Sequence, residues 1–344
     1  LQLTIFPRLS SRSSFDVAAN GQVSGQAVWR SAPLPLSTLT GDATGPNGAI
    51  ELAIPIDQAA TPRTLAPFSP ATDTAGDVYP LQAQLYSTAG APLGQPLTTF
   101  LVFATTPLIY NKLSVSLTVP VATDNTPAVE VPATIAVLEN YHQVPVSLDV
   151  SPRGMATLST NGAAGRAAVS GLSQLLIEGD ELLPSTYSAV SPAALEGAGL
   201  DGELRVQVAA GNAELQTLVH RAPDPGTWVV DQPLDAEALA TLSSLGLQQL
   251  VVPASQLSAL PSAYQVTTFA QPSSLVERGS PRVGVAGADE ELSTRFGEPG
   301  GAAQSAQDLL SELSMIQLET PSVARGVAVI PPAGWDADPN FLST

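Results

Sequence analysis

The chain has 344 residues, is 44% hydrophobic, and sets 13 Lys and Arg against 31 Asp and Glu for a net charge of −18. The apolar share builds a packed core and excludes a disordered chain, while the acidic balance repels phosphate backbones and anionic membrane surfaces, so no nucleic acid partner is expected. With no cysteine, disulfides, thiolate metal sites and Cys nucleophiles are excluded.

Residues 1–105 read as all-β. Leu1, Leu3 and Ile5 alternate with Gln2 and Thr4, the period of a half-buried strand. Further strand candidates are Gln22–Trp29, Ala49–Ile54, Tyr79–Tyr86 and Thr98–Phe103, separated by turn-rich segments with Ala89-Gly90 at one tip. Short strands at this spacing predict an immunoglobulin-like β-sandwich.

The pattern changes after Pro107. Leu113–Val119 is a predicted strand. Residues 127–142 form a predicted helix with Val131, Ile135 and Leu138 on one face. Val144–Val150 and Leu182–Tyr187 follow as strands. Ser191-Pro192 is an N-cap followed by Pro at the first helical position, and Asp201 is placed as the cap of the next helix, which carries Leu204, Val208, Leu215 and Leu218. Trp228–Val230 is a strand, Asp235 caps a helix that closes near Gly246, and Leu250–Val252 is the next strand. A looser Gly- and Pro-rich stretch runs over 271–304. A helix at 306–318 and a strand at 326–330 complete the pattern. Six to seven βα units over 106–344 predict a (β/α) barrel-like domain, near the ~250 residues typical of that fold, with an open doubly wound sheet as the alternative. The chain begins at Leu1 without a signal-peptide pattern and reads as a piece of something longer. No apolar run reaches the ~20 residues of a membrane span, so no insertion is expected.

Functional groups of such barrels sit at the C-terminal ends of strands. Asp149 and Asp231 occupy such places, and on neighbouring strands they form an acid–base pair for a glycosidic bond at ~5–9 Å. The competing reading makes each the cap of its following turn, in Asp149-Val150-Ser151-Pro152 and Asp231-Gln232-Pro233. Tyr187, Trp228 and Trp335 fall near strand ends and are candidates for stacking on sugar rings, or for rim packing. Glu178, Asp180 and Glu181 cluster without EF-hand spacing, and Asp336 and Asp338 flank Trp335; both groups read as solvated loops rather than cation sites. His142 and His220, the two histidines, stand at helix C-termini and read as caps. GxSxG, HExxH and Walker motifs are absent. No metal or cofactor is expected.

The stretch from Tyr187 to about residue 260, with AGLDGEL, QVAAGNAEL, TWVVD, LSSLGL and LVVP, resembles a known family. So do LLSELSMIQLETPSVARGVAVIPPAGW at 309–335 and, more loosely, the FPRLSSRSSF opening at Phe6–Phe15. The family is the actinobacterial extracytoplasmic proteins assigned to domain of unknown function 6049. The resemblance implies a cell-envelope protein, membrane-anchored through regions outside this chain, with a central domain similar to the barrels of polysaccharide deacetylases and glycosidases. That pattern often has Asp where Ser191 stands, so a carboxylate there is not carried over. Two functional readings follow. One is a non-catalytic envelope module binding cell-wall glycan or a partner protein. The other is a glycan-active hydrolase using Asp149 and Asp231.

Overall fold

The computed structural model describes residues 1–39, 56–57, 66–67, 76–104, 112–121, 130–230, 232, 234–257, 273–275, 282–297, 301–320 and 323–344. The predicted strand Ala49–Ile54 lies outside them. The chain divides into two compact units: Leu1–Asn111 with Gln307–Val323, and Lys112–Ala306 with Ala324–Thr344.

The first unit contains β1 (Gln2–Ile5), α1 (Arg12–Ala19), β2 (Trp29–Arg30), α2 (Leu36–Leu39), a short parallel pair β3 (Ile56–Asp57) and β4 (Ala66–Pro67), then β5 (Gly76–Tyr86) and β6 (Pro92–Ala104). Strands β2-β1-β5-β6 form one antiparallel sheet. The β5–β6 hairpin turns at Ala89-Gly90 as predicted, and Gly90 supplies the positive φ of 81° that the turn requires. Alternation gives the sheet two apolar faces. Val78 and Phe100 lie on one, under Phe15 and Ala18 of α1 and Met315 of this unit's own Gln307–Val323 segment; the Phe15 and Phe100 rings stack at 4.1 Å. Ile5 and Tyr79 lie on the other, packed by Trp29, Leu81, Leu101 and Phe103. Helix α1 was not predicted: Ser11 caps it by accepting from Ser14 N–H, and Phe15 and Ala18 form its buried stripe. It covers the face that a sandwich's second sheet would cover, and of the predicted strand Gln22–Trp29 only its last residue pairs.

The second unit begins with β7 (Ser114–Val121), α3 (Glu130–Asn140), β8 (Ser147–Val150), α4 (Pro152–Ser159), α5 (Gly162–Glu178), β9 (Glu181–Leu182), α6 (Pro192–Gly197), α7 (Asp201–Val219) and β10 (Thr227–Val229). It continues with α8 (Ala236–Ser244), β11 (Gln249–Pro253), β12 (Ser273–Leu275), β13 (Val283–Ala288), α9 (Glu290–Thr294), α10 (Ala302–Glu319, whose later part joins the first unit), β14 (Gly326–Val329) and α11 (Pro339–Ser343). Seven strands form one parallel sheet in the order β10-β11-β13-β14-β7-β8-β9, with β12 antiparallel on β13. The order is cyclic. The first strand of the unit, β7, pairs with the last, β14, so the sheet curls as a barrel does, and among the described residues β9 and β10 are not paired.

Helix α7 spans that break. Leu204 and Val208 pack with Trp228, Leu239 and Leu250 on the β10–β11 side, and Leu215 and Val219 with Leu148, Leu172 and Leu182 on the β8–β9 side. The Asp224 N–H donates to Leu182 O at 2.9 Å, a single bond where strand pairing has stopped. The concave face is lined by small side chains, Val229, Val251, Ala286, Ala288 and Ala328.

Several predicted features take their expected form. Val131, Ile135 and Leu138 are the buried stripe of α3. Ser191 accepts from Ala194 N–H and Asp235 from Ala238 N–H, each capping its helix. Asp201 is instead the first residue of α7, with Leu200 at the cap.

Candidate functional site

Strand β8 has alternating burial. Leu148 and Val150 are fully buried against Ile135, Met155 and Leu172 on the helix side, so Asp149 between them faces the concave side of the sheet. Asp149 opens into a cleft of about 120 Å³ at the C-terminal edge of the sheet, over the break between β9 and β10. Both sides of the break line it: Asp149 and Ser151 after β8, Ser185 and Thr186 after β9, and Trp228 and Val229 from β10. Ser151 Oγ also caps α4, accepting from Gly154 N–H at 3.1 Å.

The segment after β9 leaves the sheet because Pro184 has no N–H for a ladder, which cuts the predicted strand Leu182–Tyr187 to Glu181–Leu182. It docks on α7 instead. Tyr187 N–H donates to Gln207 O at 3.0 Å, and Ser188 N–H to Gln207 Oε1 at 3.3 Å. The Gln207 amide is oriented by donating to Glu203 Oε1 at 2.9 Å. Gly211 lets the backbone approach: a Cβ there would overlap the Ser185 carbonyl oxygen and lie 3.0 Å from Tyr187 N. Arg153 N–H, on α4, donates to Tyr187 O at 3.3 Å.

Of the predicted site residues, the structure brings Asp149 and Trp228 to one cleft. Trp228 is only 8% exposed, held by Leu204, Val208, Leu239 and Leu242, so it offers the cleft a small part of its surface. Tyr187 is half-buried beside the cleft and anchored through its backbone rather than lining it. Trp335 packs against Phe296 and Phe341, with centroids at 5.1 and 6.0 Å, in an aromatic cluster outside the cleft. Asp231 lies outside the described residues. Ser151, Ser185 and Thr186 were not predicted, since nothing in PSTYS marks it as a docked loop.

The two histidines sit at the other end of the sheet. His142 follows α3 and precedes β8, its Nδ1 3.3 Å from Glu139 O. His220 stands at the C-cap of α7 with φ 57°, before β10. Chain entry to a parallel strand is opposite the cleft edge, so neither imidazole shares an end of the sheet with Asp149. The acidic cluster lies there as well and serves strand pairing. Asp180 Oδ1 accepts from Val146 N–H at 2.9 Å and Glu181 Oε2 from Ser147 Oγ at 2.8 Å. Burial raises the Asp180 pKa above the ordinary carboxylate value; the Val146 hydrogen bond opposes this, Glu178 adds to it and His142 opposes it. Asp338 caps α11 by accepting from Asn340 N–H at 2.7 Å.

No family model matches the chain, and no curated protein matches it significantly. Among solved structures it is similar to 4-alpha-glucanotransferase from Thermococcus litoralis, at 15% identity and TM-score 0.48 over 65% of this chain and 35% of that one. The chain thus spans about a third of that enzyme's length. It is also similar to Puue allantoinase, at 9% identity and TM-score 0.47 over 70% and 85% of the two chains. A probable polysaccharide deacetylase from Pseudomonas aeruginosa PAO1 aligns at 11% identity and TM-score 0.44 over 67% and 84%. At these identities the likeness says nothing about chemistry. No helix among the described residues is long and apolar enough to cross a membrane.

Proposed function

We propose that this chain is a non-catalytic extracytoplasmic module that binds cell-wall glycan in the cleft over the β9–β10 break. The observation that carries the reading is the convergence of Asp149, Ser151, Ser185, Thr186 and Trp228 on one opening at the C-terminal edge of a parallel sheet. A few polar groups beside an aromatic edge in a concave site are what a sugar ring requires. The placement of both histidines at the opposite end supports a binding role over hydrolytic metal chemistry of the Asp-and-two-His type. Membership in the domain of unknown function 6049 family, an actinobacterial origin, an immunoglobulin-like first domain over 1–105 with the barrel-like domain at 106–344, and an envelope protein as alternative partner belong to the same proposal, resting on the sequence patterns.

The test is retention on insoluble peptidoglycan and arabinogalactan, with Asp149→Asn in parallel. Retention without release of soluble sugar supports the binding module; no retention overturns it. A second reading has one observation in its favour, the carboxylate of Asp149 in the cleft: a glycan hydrolase pairing Asp149 with Asp231. Sugar release by the wild type and not by Asp149→Asn or Asp231→Asn selects it.

A further inference from the structure

The β5–β6 hairpin of the first unit carries an exposed apolar strip. Alternation puts Leu81, Ala83 and Leu85 of β5 on the same face as the buried Tyr79. Leu97 lies opposite Ala83 and Leu93 opposite Leu85, and cross-strand partners share a face, so the strip continues across β6. Leu85 is 43% exposed, Leu93 54% and Leu97 52%. A single exposed leucine is ordinary, whereas three aligned across a hairpin and continuous with a buried cluster make a patch. Strand β1 pairs with β5 only as far as Gln84, so the Leu85–Leu93 pair stands on a two-stranded end of the hairpin. Residues 78–111 hold no Asp, Glu, Lys, Arg or His, and neither does β1 beside them, in a chain of net charge −18.

The chemistry of the strip selects its occupant. A basic partner would be matched to this acidic chain, but it finds no carboxylate on the hairpin to pair with. A lipid surface calls for bulky apolar anchors at the tip, and the tip here is Ser87, Thr88, Ala89, Gly90 and Ala91, with the leucines set back on a flat face. An added edge strand meets Pro92 and Pro96, which have no N–H, and a register shift that advances two residues on β5 against four on β6. What remains is face-to-face packing on a surface that is itself apolar and uncharged. Two acidic copies of this chain repel wherever carboxylates meet, and the hairpin face is a place where they can touch without any. We infer that the strip Leu85, Leu93 and Leu97 is a self-association surface, packed on the same strip of a second copy about a two-fold axis. The inference is independent of the cleft.

The test is sedimentation velocity of the full chain over a micromolar to submillimolar range, at low and at high ionic strength. The expected result is a monomer–dimer equilibrium that tightens as salt rises, because salt screens the repulsion between the copies and leaves apolar burial intact. Leu93→Ser/Leu97→Ser, two changes at residues more than half exposed and checked for an unchanged melting profile, is expected to weaken the dimer about tenfold or more. Ile177→Ser, at the 75% exposed Ile177 of α5, keeps it. A monomer at every concentration and salt overturns the inference. So does a dimer that the double variant leaves unchanged, or one that salt dissociates, which would place ion pairs at its interface. Flotation of the monomer with phosphatidylcholine vesicles, lost in the double variant, would assign the strip to a lipid surface and overturn it as well.

Discussion

The backbone of Ser185 lies against Gly211 so closely that any Cβ on residue 211 would overlap the Ser185 carbonyl oxygen. Helix α7 therefore acts as the seat of the cleft loop as well as the bridge across the sheet's break. Gly211→Ala sets two effects against each other. Alanine favours the helix by about 1 kcal/mol over glycine, whereas overpacking costs typically about 1–3 kcal/mol. Because the obstructing atom is backbone rather than a flexible side-chain tip, overpacking wins here. The variant is expected to melt lower and to lose glycan retention, with the loop lifted from α7. A melting temperature at or above the wild type, with retention intact, would show that the loop is not seated there.

Gln207 secures the same loop with two groups, its carbonyl oxygen and its side-chain oxygen. Gln207→Leu removes the acceptor for Ser188 N–H and is expected to cost about 1 kcal/mol. Gln207→Glu keeps an acceptor for Ser188 but faces Glu203 across a 2.9 Å contact, so it is expected to rescue less than fully. Amide hydrogen exchange at Ser188 is the readout that a merely global destabilisation would not single out: faster exchange in Gln207→Leu than at Leu183 or Leu148 supports the anchor.

Much of the second unit was legible where local chemistry decides local structure. The stripe Val131, Ile135, Leu138 and the caps Ser191 and Asp235 needed no tertiary information. Helices α4 and α5 were not predicted; in α5 the glycines at 162, 165 and 171 lower the intrinsic helix signal. In the structure Gly171 lets α3 approach, a Cβ there falling 2.7 Å from Ile135 Cγ2. Strand β13 was hidden in a Gly-rich stretch, VGVAGA, whose burial comes from its neighbours β11 and β14. For the site, Asp149 and Trp228 could be read from their places at strand ends. Ser185 and Thr186 could not, because their position is fixed by Gly211 and Gln207, more than 20 residues away along the chain. Trp335 was read as a candidate for stacking on sugar rings or for rim packing; in the structure it packs with Phe296 and Phe341 in an aromatic cluster.

Within the first unit, Arg12 on α1 donates through Nε at 2.9 Å and Nη2 at 2.5 Å to the same oxygen of Glu312, a carboxylate with no exposed surface. Loss of one partner of a buried pair costs about 3–5 kcal/mol because the other charge stays desolvated. Arg12→Leu is therefore expected to lower the urea midpoint of the first unit substantially. The double variant Arg12→Leu/Glu312→Leu should recover much of the loss. Additive losses in the double variant would show that the two side chains are not coupled.

Asp180 gives a pH dependence of opposite sense to that of an ordinary ion-paired carboxylate. Its folded pKa is raised by burial, so between the unfolded and folded values the native state holds a proton that the unfolded chain has released. Its contribution to stability is thus greatest toward the acid side of that window and is lost as pH rises through the folded pKa. Asp180→Asn keeps an oxygen for Val146 N–H and removes the buried charge; at neutral pH it is expected to melt at or above the wild type, the difference shrinking as pH falls to the ordinary carboxylate range. Asp180→Ala removes the acceptor too, and a buried N–H left without a partner costs about 1–3 kcal/mol at any pH. Thermal melts of the three proteins at several pH values separate the two effects. An Asn variant that loses stability relative to wild type as pH rises from acid to neutral would mean that the hydrogen bond and His142 favour the ionised carboxylate more than burial disfavours it.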